Sequence, residues 1–434
     1  MKDRSNTYQK VFFIVLWVLC TFGFVADEII PPLDQIRSPI FLLCDLTIAM
    51  LGICVIRKWQ DLALSATLLL LAFFSTYFIN GLSFPFFLNG LREFVGLMFV
   101  MPLLRYFLEE EGRRKRFERA FDHNLYLFLF VQAFCLIFQF LKYGAGDHGG
   151  GSFGNWYSGQ VSTLIYLCSF YLLNKQIDRD NFLKSLYDNK SLILLLAPTF
   201  LNETKISIVY LLLYFILLLP IDRRLVVRMT LFAPVVVIFV WMGVNIYSAS
   251  TRNSEDTNKF SIEYISEYLL LEEVEHAKDD AEWNMDSNNG VADVPRMTKL
   301  LYLPILDEEN PGHILTGFGV GQFKGGTSME VSEFAEEYDW LLMGSIPYVF
   351  HLYIQLGVLG VVWFLAFVVN LFMAPITDGR RWTRNWNICL FALIVITILL
   401  IYIDILRKVE FCMIFFAIVC FSWQPEAEQV EIES

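Results

Sequence analysis

Residues 346–374 read IPYVFHLYIQLGVLGVVWFLAFVVNLFMA, and no Asp, Glu, Lys or Arg interrupts the run. About 20 apolar residues are enough for a helix to cross the hydrocarbon core of a bilayer, so the stretch reads as a membrane span. His351 stands about one turn into it, and Gln355 follows four residues later on the same helix face. An ionisable side chain where a polar loop meets a span is costly to keep, which makes a functional site its default reading. A neutral imidazole can take a proton from a hydroxyl near neutral pH. The plainer reading is a histidine hydrogen-bonded at the membrane interface. Gly357 and Gly360 shift the balance little, because glycines at such spacing commonly serve close helix packing.

The rest of the chain extends the pattern. With 434 residues, 56% of them hydrophobic, and 41 Phe, there is too much apolar surface for one soluble core, and a membrane protein is expected. Candidate spans lie near 11–26, 38–56, 62–79, 91–108, 122–142, 158–174, 189–201, 205–220, 226–247, 346–374, 386–404 and 409–423, twelve in all. The first follows Lys2, Arg4 and Lys10 as a signal peptide would, but it lacks a small-residue cleavage site and reads as a retained helix. Lys and Arg collect in short loops at Arg57–Lys58, Arg113–Arg119, Lys175–Lys184, Arg223–Arg228 and Arg380–Arg384. These fall on one side, which the positive-inside rule makes cytoplasmic, together with both termini. Arg407 and Lys408 fall on the other side, against the trend.

The formal charge of −12 is concentrated in one place. Between Ser248 and Ser345 there are 20 Asp and Glu against 6 Lys and Arg, a local balance of −14. The chain therefore divides into spans 1–247, an acidic outer loop 248–345, and spans with a cytoplasmic tail 346–434. Neither an acidic nor a neutral surface suits nucleic acid. All eight cysteines fall within apolar runs, so no disulfide framework is expected for the loop. Within the loop, Ile262–Ala281 reads as an amphipathic helix along the membrane face.

Lys190–Pro220 is too long for one span and short for two: a single helix would run about 46 Å against a core of about 30 Å. Pro198 and Asn202-Glu203-Thr204-Lys205 break its middle. The reading is a hairpin whose tip presents Glu203 and Lys205 outward; one tilted helix with an internal ion pair is the alternative. Arg296 can grip phosphate oxygens with its planar fork, or form a surface ion pair worth little. Lys205 and Arg92 stand at span ends on the same outer side, and three cations converging there would suit a diphosphate. Singly, each reads as an interfacial residue that snorkels. Gly317-Phe-Gly-Val-Gly-Gln-Phe323 has no lysine at the offset a nucleotide loop needs, so a flexible loop apposed to a site fits better than ATP binding. Asp147-His148-Gly-Gly-Gly151-Ser-Phe-Gly-Asn155 is a second glycine-rich outer loop, and no partner spacing supports a metal at His148.

Taken in order, these pieces resemble the O-antigen ligase/polymerase superfamily of bacterial polytopic membrane glycosyltransferases. Gly151-Ser-Phe-Gly-Asn155 is similar to the family's Gly-Thr-Phe-x-Asn outer loop. Lys205 stands where the family has an arginine opening a helix, and Arg296 precedes the Gly-x-Gly-x-Gly-x-Phe run as the family's long-loop arginine does. His351 with Gly357 and Gly360 matches its histidine-led helix start. Leu352 departs from the Asn, Ser or Gln usual in ligases, which tilts the resemblance towards a polymerase.

The resemblance implies an all-α polytopic membrane protein of about 12 helices, GT-C-like, in the bacterial cytoplasmic membrane with its active site on the outer face. It implies polymerisation of undecaprenyl-diphosphate-linked oligosaccharides by inverting transfer. His351 would be the catalytic base; Arg296 and Lys205, with Arg92, would hold the diphosphate. Glu203 is the rival base, and Gln355 an orienting partner. The family pattern requires no metal and no cofactor. Its partners are the lipid-linked donor and acceptor, membrane lipids, and chain-length regulator or flippase proteins. The alternatives are ligase-type transfer to a lipid or protein acceptor and, from another class, a flippase of lipid-linked glycans.

Overall fold

The computed structural model describes residues 2–144, 146, 148–155, 157–178, 181–202, 206–219, 294, 296–322, 333–342, 344–373 and 382–425. Glu203, Lys205, the span expected near 226–247 and the amphipathic segment Ile262–Ala281 lie outside them. The chain is a helical bundle. Its helices are α1 (Lys2–Phe24), α2 (Arg37–Val55), α3 (Trp59–Phe73), α4 (Phe84–Leu91), α5 (Met101–Leu108), α6 (Glu111–Tyr143) and α7 (Ser158–Gln176). Then come α8 (Phe182–Asp188), α9 (Lys190–Leu194), α10 (Ile206–Leu218), α11 (Arg296–Glu309), α12 (Glu333–Glu337), α13 (Tyr348–Met373), α14 (Trp386–Tyr402) and α15 (Val409–Phe421). Two three-residue segments, Trp382–Arg384 and Trp423–Pro425, pair antiparallel with Thr383 opposite Gln424.

Among the described residues five helical segments are long and apolar enough to cross a membrane: Ser5–Ile29, Pro31–Val55, Trp59–Ile79, Glu111–Tyr143 and Tyr348–Met373. A sixth is made of Phe84–Phe94 and Gly96–Leu108, bent by 52° at the junction. Lys190–Phe200, Ile206–Leu218, Trp386–Tyr402 and Val409–Phe421 are apolar but shorter. The helices α2 and α3 present Leu43, Leu46, Met50, Leu62, Leu69 and Leu70 outward, a composition that suits lipid rather than water.

Helices α7 and α15 form the centre. Every residue of α15 is buried, as is every residue of α7 from Ser158 to Leu173. The sequence of α7 carries hydroxyls and amides that hydrocarbon would not tolerate, and the bundle supplies partners for the buried ones. Ser169 Oγ lies 2.9 Å from the Tyr214 hydroxyl and donates to the Leu192 carbonyl at 3.2 Å. Thr199 donates to the Tyr166 hydroxyl at 3.2 Å, and Gln160 donates to Glu410 of α15 at 3.1 Å.

These contacts resolve the run after Lys190 as a hairpin on α7. Its first limb passes Ser169 with Leu192 and reaches Asn202, whose amide donates to the Ser158 carbonyl at 3.2 Å. The second limb, α10, returns along α7 through Tyr210 beside Thr163 and Tyr214 beside Ser169. At 1.5 Å per residue the limbs rise about 16 and 20 Å, short of a hydrocarbon core of about 30 Å.

Among the described residues, the basic clusters at Arg57–Lys58, Arg113–Arg119 and Lys175 share one end of the bundle. There Arg57 pairs with Glu109, Arg113 with Glu109 and Glu110, and Lys175 with Glu118 and Asp122. Arg114 donates to the Trp423 carbonyl at 2.7 Å. At the opposite end a small second core joins Tyr302 and Leu306 of α11, Phe334, Tyr338, Trp340 and Leu341 to Phe350 and Ile354 of α13. The described part of the acidic loop thus packs as a cap on the start of α13.

Candidate functional site

Two breaks in helices shape the capped end. Between α4 and α5 the chain passes through a 3-10 turn, Arg92–Phe94, and a π turn, Gly96–Val100. Gly96 lies so close to α15 that a β-carbon there would stand 2.8 Å from Cys412 Sγ. The break turns Arg92 and Glu93 into the bundle. The second break is in α13 at Gly357, whose φ of 61° and ψ of −159° are open to glycine alone.

The break at Gly357 releases backbone groups that a helix would have paired, and the glycine run takes them up. Phe318 N–H donates to the Ile354 carbonyl at 2.7 Å and Gly319 N–H to the Gln355 carbonyl at 3.2 Å. In return Val358 and Leu359 N–H donate to the carbonyls of Ile314 and Leu315, at 2.9 and 3.1 Å. A β-carbon on Gly317 would come 2.6 Å from the Ile354 carbonyl oxygen, and one on Gly321 2.6 Å from that of Phe86. Sequence reasoning expected a flexible loop here. The segment is instead a packed wedge between α4 and α13, with Val320 fully buried, because its glycines let backbone meet backbone.

The wedge leads to a buried polar cluster. Gly321 N–H donates to Gln355 Oε1 at 3.1 Å, and Gln355 Nε2 donates to Glu93 Oε2 at 2.9 Å. His351 Nε2 lies 3.0 Å from the same Glu93 oxygen, and His351 has no exposed surface. Arg407, in the short connection between α14 and α15, reaches Glu93 Oε1 at 3.3 Å and Asp404 at 2.9 Å. Burial opposes the charge on Arg407, but Asp404 and Glu93 outweigh it and raise its pKa, so the guanidinium stays protonated.

Beside this cluster a cleft opens to the surface, holding about 630 Å³ of empty space with its open mouth included. Its charged lining is Arg92, Arg407 and Lys408 against Asp45, Glu93 and Glu410, and Phe153 and Tyr157 give it an aromatic wall. Arg92 is held by Asp45, Nε to carboxylate at 3.0 Å, and Lys408 stands 5.3 Å from the Tyr157 ring centre. Phe153 belongs to the second glycine loop, which is inserted into the bundle and clamped by α6. Gln132 donates to Ser152 Oγ at 2.6 Å and accepts from Ser152 N–H at 2.8 Å, and Gln139 accepts from Gly151 N–H at 2.8 Å.

Of the residues expected to act, Arg92 lines the cleft, and His351 and Gln355 stand behind Glu93. Arg296 opens α11 with its guanidinium 4.2 Å from the ring centre of Tyr402, at the end of α14, and lies outside the cleft lining. Lys205 and Glu203 fall outside the described residues. Sequence reasoning passed over Glu93, Arg407 and Lys408. Glu93 carried a readable signal, an acid next to Arg92 within an apolar run. Arg407 and Lys408 stood out as the cations on the wrong side of the charge pattern.

No family model matches this chain, and no curated protein matches it.

Proposed function

We propose that the protein polymerises undecaprenyl-diphosphate-linked oligosaccharide repeat units by metal-independent inverting glycosyl transfer at this cleft. In this reading the fold is GT-C-like with twelve spans, set in the bacterial cytoplasmic membrane with the cleft facing outward. The observation that supports it most is that three cations, Arg92, Arg407 and Lys408, line one cleft beside the Glu93–His351 pair. A donor diphosphate needs cations where its charge grows as the sugar leaves, in surroundings that exclude water. Arg296 and Lys205 would extend the cradle, Arg296 from above Tyr402, the residue that leads into the connection bearing Arg407. An aromatic wall of Phe153 and Tyr157 suits a sugar face or a prenyl chain.

The test is turnover of purified protein in bilayers supplied with lipid-linked oligosaccharide. Longer glycans and free carrier diphosphate are expected. Arg407→Gln should lower kcat by about 10²- to 10³-fold, the usual loss for one donor to a developing anion. Transfer only to a lipid A-core or protein acceptor would make it a ligase.

The discontinuous helices favour a second reading, a transporter of lipid-linked glycans, since transporters bind their cargo at such breaks. Unchanged donor recovered from the opposite leaflet would decide for it.

A further inference from the structure

We infer that Glu93, and not His351, is the catalytic base that meets the acceptor hydroxyl, and that His351 and Gln355 are positioning residues for its carboxylate. The inference rests on the glycosyl-transfer reading of the cleft. Glu93 lines that cleft, whereas His351 has no exposed surface and stands behind the carboxylate.

The hydrogen bonds give each group its part. Gln355 Oε1 accepts from Gly321 N–H, so its Nε2 is the end that faces Glu93. His351 Nε2 lies 3.0 Å from Glu93 Oε2 and 2.7 Å from Gln355 Nε2, so the ring packs against both groups. His351 has no exposed surface, so an acceptor hydroxyl in the cleft meets the Glu93 carboxylate and not the imidazole. Glu93 Oε2 is held by Gln355 Nε2 with the His351 ring packed beside it, and Oε1 faces Arg407 at 3.3 Å.

Arg407 connects the base to the donor. It lines the same cleft, so a bound diphosphate competes with Glu93 for its guanidinium. Drawing Arg407 towards phosphate leaves Oε1 more basic at the moment the donor is in place. In the transfer, the acceptor oxygen bonds to the anomeric carbon while the bond from that carbon to the diphosphate oxygen breaks. The electron pair of that bond leaves on the diphosphate, and the hydroxyl proton passes to Glu93 Oε1.

The test uses the full-length protein in lipid nanodiscs, with undecaprenyl-diphosphate-linked oligosaccharide extracted from the cells that produce it. Glu93→Gln should lose about 10²- to 10⁴-fold in kcat, the usual worth of a general base, and still bind undecaprenyl diphosphate. Glu93→Asp, which keeps the carboxylate, should recover part of the rate and retain the acidic limb of the pH profile. His351→Gln, which keeps a polar side chain beside Glu93, should lower turnover but leave that limb in place. The inference is overturned if Glu93→Gln turns over like the wild type, or if His351→Gln abolishes turnover and the acidic limb while Glu93→Asp behaves as the wild type. A wild type that yields neither longer glycan nor free carrier diphosphate overturns the glycosyl-transfer reading itself, and the base assignment with it.

Discussion

Asp61 and Arg105 meet at 2.5 Å with both side chains 4% exposed, near the basic end of the bundle, and Arg105 also donates to Asn370 of α13 at 3.2 Å. A pair so enclosed adds little net stability over an apolar pair of the same shape, but removing one member strands the other. Asp61→Asn should therefore destabilise the protein by about 3–5 kcal/mol. Asp61→Leu combined with Arg105→Met should cost much less, read as the shift in a detergent unfolding curve. Equal losses for both would show that the pair contributes through attraction rather than through mutual neutralisation. The same logic applies at the cleft. Asp45 holds Arg92, and Glu93 with Asp404 holds Arg407, so each cation is kept in apolar surroundings by an acid that the sequence had left unassigned.

At the scale of elements the break in α13 matters most. Gly357 combines a backbone conformation closed to other residues with contact against the Leu315 backbone. Gly357→Ala should cost about 1–3 kcal/mol from the backbone alone, visible as a lowered apparent Tm. It should also loosen the wedge Ile314–Gly319, seen as faster amide exchange of Phe318 and Gly319. Unchanged exchange at those amides would mean that the wedge does not depend on the break. The hairpin after Lys190 was legible in the sequence because proline and a polar quartet interrupt an apolar run, a signal local to the chain. The wedge was not legible. Its glycines face Ile354, Gln355 and Phe86, and nothing in the run itself tells which distant backbone it will meet.

At the scale of the whole molecule the bundle is sorted from inside out: α7 and α15 enclosed, α2 and α3 apolar on their outer faces. The cysteines give a direct check, since all eight are free thiols and Cys54 alone is exposed, the other seven being buried. A lipid-soluble maleimide should add one label per chain to the native protein in bilayers, at Cys54, and eight after denaturation in SDS. Labels on Cys168 or Cys412 before denaturation would show that the two central helices are open to lipid.

Apolar runs and the breaks at Pro198 and Asn202–Lys205 are sums over neighbouring residues, and the sequence by itself determined from them a helical protein with segments long and apolar enough to cross a membrane. Membership of the cleft is a different kind of property. It depends on which helices break and which side chains then face one another across hundreds of residues, as Glu93 meets His351, Gln355 and Arg407. Only the tertiary structure decided that Arg296 rests on Tyr402, that His351 is sealed behind a carboxylate, and that Arg407 and Lys408 line the cleft. The reason is physical: burial of a charge is tolerable only beside a partner, and the partner is chosen by packing, not by proximity along the chain.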